Sequence, residues 1–149
     1  MSQPMAILLV EDNPADVELT LRAFKRRKLS NPIHVARDGE EALDYVHARG
    51  PFANAAPIPG VVLLDLRLPK VDGLDVLRQM KAHPVYSKVP VVVLTTSGED
   101  GDVKRSYELG AASYIVKPVE FEKFLSVVER IDFYWILTNV PFPWGERER

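Results

Sequence analysis

Four places in the chain put residues able to do chemistry directly after a short apolar run. Glu11 and Asp12 follow "AILLV", Asp65 follows "VVLL", Thr95 and Thr96 close "PVVVLTT", and Lys117 with Pro118 follows "SYIV". An apolar run of four or five residues is the pattern of a strand buried on both faces. Each of these side chains therefore stands at the end of a buried strand. Three carboxylates drawn together repel and raise one another's pKa unless a cation joins them. An all-oxygen donor set favours a hard divalent ion, Mg²⁺ before Zn²⁺. A lysine facing those acids makes sense if a dianionic group also visits. The phosphoryl group fits, because a metal and a lysine neutralise its charge during transfer. Asp65 taken alone has a plainer reading, as a turn-capping aspartate where its strand stops.

The elements that must carry these residues alternate along the chain. Asn13-Pro14 reads as an N-cap and an N1 proline, opening a helix with Val17, Leu21 and Phe24 on one face and "KRRK" (25–28) at its negative end. "IHVA" (33–36) is a second strand. Asp38 and Glu41 form a capping-box-like start to a second helix, buried through Ala42, Leu43 and Val46. A Pro- and Ala-rich loop, 49–60, leads to the third strand. Leu74, Leu77 and Met80 mark a third helix, ended by His83-Pro84. A more polar fourth helix runs to Gly110, a C′ residue, and a last helix begins near Phe121 with the stripe Phe121, Phe124, Leu125, Val128 and Ile131. Five strands, each followed by a helix, imply an α/β fold: a doubly wound parallel sheet with helices on both faces. In such sheets ligands bind beyond the carboxyl ends of the strands, at a topological switch point. That is the rim on which the residues above converge.

Composition narrows the field. The chain has 149 residues, one domain's worth, with a net charge of -2 and no cysteine. Disulfides, thiolate metal sites and a cysteine nucleophile are excluded, and nothing favours nucleic acid held by bulk charge. No stretch approaches the roughly 20 apolar residues of a membrane span, and the start lacks the basic region of a signal peptide. The expectation is a cytoplasmic protein. His34, His47 and His83 fall on different elements and are read as neither ligands nor bases. The basic "KRRK" reads as a solvated helix end.

In this order the residues resemble the receiver domain of two-component response regulators: Glu11-Asp12, Asp65, "PKVDG" (69–73), Thr95, and Lys117-Pro118, with Tyr114 three before the lysine. The resemblance spans roughly Ala6 to Val128. It implies a flavodoxin-like sheet of order 2-1-3-4-5 and a role for each residue. Asp65 is the phosphoacceptor for a sensor histidine kinase. Asp12 and Asp65 hold Mg²⁺ directly, Glu11 through water, and Arg67 through its backbone carbonyl. Thr95 and Lys117 bind phosphoryl oxygens. Tyr114, which otherwise reads as a core aromatic, turns inward when Thr95 is drawn to the phosphate. The Lys117–Pro118 bond is expected to be cis. The long loop before the third strand and the aromatic tail further resemble the receiver-only regulators that serve bacterial phytochromes.

Competing chemistries lack their residues. Phosphatases of the haloacid dehalogenase type need a second Asp two positions after the nucleophile, where Arg67 stands. There is no GxxxxGK[ST] loop, and clustered acids would repel a flavin phosphate. The expected division is a receiver domain over 1–130 and an apolar, aromatic extension over 131–149. Too few residues follow Pro118 for a DNA-binding or catalytic output domain. The signal is then expected to leave by protein contact or by passing on the phosphoryl group. Phe133 to Leu137 is apolar in every direction, Pro141 and Pro143 forbid a regular helix, and Trp144 adds a further apolar side chain. The expected use of this stretch, with the last helix, is a homodimer interface, the alternatives being a lid folded back over the core and a kinase-docking surface.

Overall fold

The computed structural model describes residues 5–27, 31–53, 57–117 and 120–128. Strands β1 (Ile7–Val10), β2 (Ile33–Ala36), β3 (Val61–Leu64), β4 (Val91–Thr95) and β5 (Ser113–Val116) alternate with helices α1 (Pro14–Arg26), α2 (Gly39–Val46), α3 (Gly73–Ala82), α4 (Asp100–Glu108) and α5 (Phe121–Val128). All neighbours in the sheet pair in parallel, in the expected order β2-β1-β3-β4-β5. The topological switch lies between β1 and β3, where one neighbouring connection winds to each side.

Side chains of a strand alternate between faces, and the core divides accordingly. Leu8, Val10, Val62, Leu64, Val91 and Val93 join α2 and α3 on one face. Ile7, Leu9, Val61, Leu63, Val92 and Leu94 join α1 and α5 on the other. The three central strands are buried throughout. Fully burying one such aliphatic side chain contributes about 2 kcal/mol, which is why these apolar runs occupy the middle of the sheet.

Local signals account for the helix ends. Asn13 Oδ1 accepts from the N–H groups of Ala15 and Asp16 at 2.9 and 3.3 Å, with Pro14 opening α1. Asp38 accepts from Glu41 N–H at 2.7 Å, and Glu41 reaches back to the N–H of Arg37, one residue ahead of the cap. Gly110, at φ +105°, ends α4: its N–H bonds Tyr107 O while Ala111 N–H bonds Ser106 O, the paired bonds of a Schellman motif. The expected face of α1 needs one correction. Val17 and Phe24 are buried, but Leu21 is 38% exposed, and Thr20 and Ala23 take the inward positions. Thr20 tolerates burial because its hydroxyl donates to Asp16 O at 2.8 Å.

On α5, Phe124 and Leu125 are buried, and Phe121 lies 4.6 Å beneath the Arg22 guanidinium. Lys28 of "KRRK", the Lys117–Pro118 bond, the side chain of Val128, Ile131, and the extension with Phe133, Leu137, Pro141, Pro143 and Trp144 lie outside the described residues. Among the described residues no helix is long and apolar enough to cross a membrane.

Candidate phosphoacceptor site

Asp65 continues β3 by one residue: its N–H donates to Val10 O at 3.0 Å, so the strand ladder itself sets where the carboxylate emerges. The chain then turns at the buried Leu66. Gly73 N–H closes the turn onto Leu66 O at 3.0 Å. A Cβ at Gly73 would lie 2.5 Å from Asp65 O and 2.4 Å from Leu66 Cα, so only glycine lets the start of α3 approach the loop after Asp65 this closely. The turn-capping reading of Asp65 is realised, since its Oδ1 accepts from Arg67 N–H at 3.1 Å. It is also incomplete. Thr95, fully buried at the end of β4, donates its hydroxyl to the same Oδ1 at 2.8 Å, and Lys117 Nζ lies 3.2 Å from Oδ2.

Lys117 is carried by β5, whose ladder ends with Lys117 N–H on Thr95 O at 2.7 Å. Its side chain is only 4% exposed. The ammonium has three N–H donors and meets three carboxylates: Glu11 at 2.6 Å, Asp16 at 2.8 Å and Asp65 at 3.2 Å. Burial alone would pull this lysine down. Hydrogen bonds to Asp16 and Glu11, with the charge of Asp65, more than reverse that and hold it above the ordinary lysine range. Glu11 is buried at the end of β1, with Asn13 N–H on its Oε2 at 3.2 Å. Burial pushes its carboxyl up to about 7; the Lys117 hydrogen bond resists and the Asp65 charge adds to the rise. Two buried carboxylates share one ammonium here, so one of them binds its proton unusually tightly.

Asp12 stands exposed beside them. One oxygen from each of Glu11, Asp12 and Asp65 lies within 4.8 Å of the others, in reach of a single ion. The donors are all carboxylate oxygens and no nitrogen or sulfur ligand joins the group, so the set suits a hard divalent cation. Such an ion would offset the Asp65 charge that adds to the burial-driven rise of Glu11.

The structure thus brings together Glu11, Asp12, Asp65, Thr95 and Lys117 as the sequence predicts. Tyr114 is half-buried against the core on the α2–α3 side, and its hydroxyl donates to Ser97 O at 2.7 Å. The Thr95 hydroxyl, the other half of the expected switch, rests on the Asp65 carboxylate. Thr96 is exposed at the rim. As a member of the site, Arg67 is expected from the sequence through its carbonyl only. Its guanidinium spans the site mouth to Asp102, 2.7 Å away on α4. Asp102 is buried and also accepts from Ser97 Oγ at 2.5 Å and Arg105 Nη2 at 3.0 Å. The Ser97 hydrogen bond, set against burial and helped by the two arginines, lowers its pKa. Asp16 and Asp102 were missed. Both are acids in the first turn of a helix, where the helix dipole already accounts for an acid. The one available signal was that Asp16 lies in the first turn of α1, close in sequence to Glu11 and Asp12.

Comparison with known proteins agrees with this geometry. The family model described as the response regulator receiver domain matches residues 7–129. FilR2, a probable methanogenesis regulatory protein of Methanothrix harundinacea, is 47% identical over 91% of this chain and 86% of its own length. Response regulator Rcp1 of Synechocystis is 38% identical over 91% of each. Among solved structures, the Mn²⁺-bound form of Rcp1 superposes with a TM-score of 0.83 at 38% identity, covering 93% of this chain and 99% of that one. The bacteriophytochrome response regulator AtBRR does so with a TM-score of 0.75 at 50% identity, covering 93% of this chain and 100% of that one.

Proposed function

The chain belongs to the response regulator receiver domain family, and from that premise we propose that Asp65 accepts a phosphoryl group from the phosphohistidine of a sensor histidine kinase. An Asp65 carboxylate oxygen attacks phosphorus, the P–N bond to histidine breaks, and an aspartyl phosphate forms. The observation that carries this reading is the three-sided hold on Asp65 by Arg67 N–H, the Thr95 hydroxyl and the Lys117 ammonium. Those donors fix the nucleophile and afterwards face the transferred oxygens. Mg²⁺ is the proposed ion, held by Asp12 and Asp65 with Glu11 through water and the Arg67 carbonyl. When bound it supplies charge neutralisation for the incoming group.

The product is stoichiometric, one phosphoryl group per chain, and the protein is not a turnover enzyme. Output runs through contacts at the α4 and β5 side, where Tyr114, Ser97 and Asp102 tie the site to α4, and where Tyr107 and Val116 are exposed. Relatives that are phytochrome response regulators support a kinase of that class as the donor. The last helix with the apolar stretch 133–137 forms the homodimer contact in this reading, without nucleic acid or membrane, in the cytoplasm.

The test is a mass measurement after incubation with a phosphorylated histidine kinase or acetyl phosphate. Wild type gains one phosphoryl group, and the gain disappears with a chelator or in Asp65→Asn. Labelling that persists in Asp65→Asn refutes the assignment.

A further inference from the structure

Three carboxylates hold the Lys117 ammonium, yet two of them have other work once phosphoryl transfer begins. Asp65 supplies the oxygen that becomes the ester, so its hydrogen bond to Lys117 must pass to a phosphoryl oxygen. Glu11 belongs to the acidic group that suits a divalent ion, and a bound cation draws its charge away from the ammonium. Asp16 has neither duty. It stands on the first turn of α1, outside the ion-binding group, with its backbone N–H fixed by the Asn13 cap and its carboxylate 2.8 Å from Lys117 Nζ. Its side chain is 28% exposed, against 4% for both Lys117 and Glu11, so it closes the solvent side of the ammonium.

We propose that Asp16 is a positioning residue for phosphoryl transfer, keeping the Lys117 ammonium at the phosphoacceptor while Glu11 and Asp65 turn to the ion and the phosphoryl group. The inference rests on the reading of Asp65 and Lys117 above. A lysine head is a point charge on four flexible carbons, able to point in many directions. One acceptor unchanged from start to finish leaves it two donors for the oxygens that move. Asp16 therefore acts through Lys117 and touches neither phosphorus nor ion.

The bond and the charge of Asp16 are separable. Asparagine keeps an oxygen acceptor and loses the charge; alanine loses both. The full-length protein is phosphorylated with acetyl phosphate over a range of donor and Mg²⁺ concentrations, with the aspartyl phosphate read by mass. Losing a hydrogen bond to a charged group costs on the order of tenfold in rate. Asp16→Ala should lower the maximal rate by about that factor, and Asp16→Asn should keep most of it. The Lys117 Nζ nitrogen resonance, held in slow proton exchange in the Mg²⁺ and beryllofluoride complex of wild type, should persist in Asp16→Asn and vanish in Asp16→Ala.

An unchanged maximal rate in Asp16→Ala overturns the inference, even if thermal stability falls. So do equal losses in both variants, or an effect confined to Mg²⁺ half-saturation, because those report charge and not position. A wild-type chain that takes no phosphoryl group on Asp65 overturns the reading of the site and this inference with it. A labelled wild type with an unaffected Asp16→Ala overturns this inference alone.

Discussion

Binding of Mg²⁺ should release a proton, and the amount is set by Glu11. Its carboxyl, buried beside Asp65, titrates at about 7 in the metal-free protein. A carboxylate must be ionised to serve a metal. Mg²⁺ therefore displaces about 0.9 proton at about pH 6, about 0.5 at about pH 7 and about 0.1 at about pH 8. The apparent affinity rises with pH by roughly tenfold from about pH 6 to about pH 8, and most of the change falls below 7. Calorimetric titration in two buffers of different ionisation heat measures the proton count directly. Glu11→Gln should abolish the buffer dependence. The folding sign runs the same way. The folded state binds this proton more tightly than the unfolded chain, whose carboxyl titrates near 4.5. Metal-free stability is therefore fully present below about pH 4.5, falls as pH rises towards 7, and is flat above, a loss of about 3 kcal/mol from this group at most. A metal affinity that is flat between about pH 6 and about pH 8, with no proton released, would refute the argument that burial beside Asp65 raises Glu11.

Three further outcomes are expected. Lys117→Ala leaves Glu11 and Asp65 buried without their shared cation, so denaturant unfolding of the metal-free protein should show a loss of about 3–5 kcal/mol, part of which saturating Mg²⁺ restores; unchanged stability would mean the ammonium is not the counter-ion. Thr95→Ala removes one of the donors on Asp65 Oδ1, so it should keep much of the aspartyl phosphate seen by mass while uncoupling partner binding from phosphorylation; binding that still tracks phosphorylation would count against it. The full-length chain should sediment as a dimer at roughly tens of micromolar, the range of a modest interface, and a chain truncated after Ile131 as a monomer; a strictly monomeric full-length protein, phosphorylated or not, would remove the dimer.

Much of this was legible because parallel strands buried on both faces leave an unmistakable run of aliphatics, and the residues just past the end of each run must lie on one rim. Glu11, Asp65, Thr95 and Lys117 were readable for that reason alone. Leu21 was misplaced because spacing of three and four fits more than one stripe on a helix, and a threonine that bonds its own helix backbone competes for the inward position. Asp16 and Asp102 escaped because a first-turn acid has a sufficient local explanation, so its tertiary partner leaves no mark in the pattern. The Arg67 guanidinium was invisible for a related reason. A long flexible side chain reaches whatever charge the fold supplies, and Asp102 is 35 residues away along the chain.

The Glu11–Lys117 contact joins residues 106 positions apart, Asp65–Lys117 spans 52 and Thr95–Asp65 spans 30. All five strands must be synthesised before the last can deliver its ammonium. Until then Glu11 and Asp65 would face each other without the lysine, and non-local pairings of this kind form slowly because the loops between them must close first. A nascent or nicked chain lacking β5 holds the acids but not the counter-charge that makes them a receptor. On the proposed reading, the complete donor set around Asp65 exists only once β5 has joined the sheet.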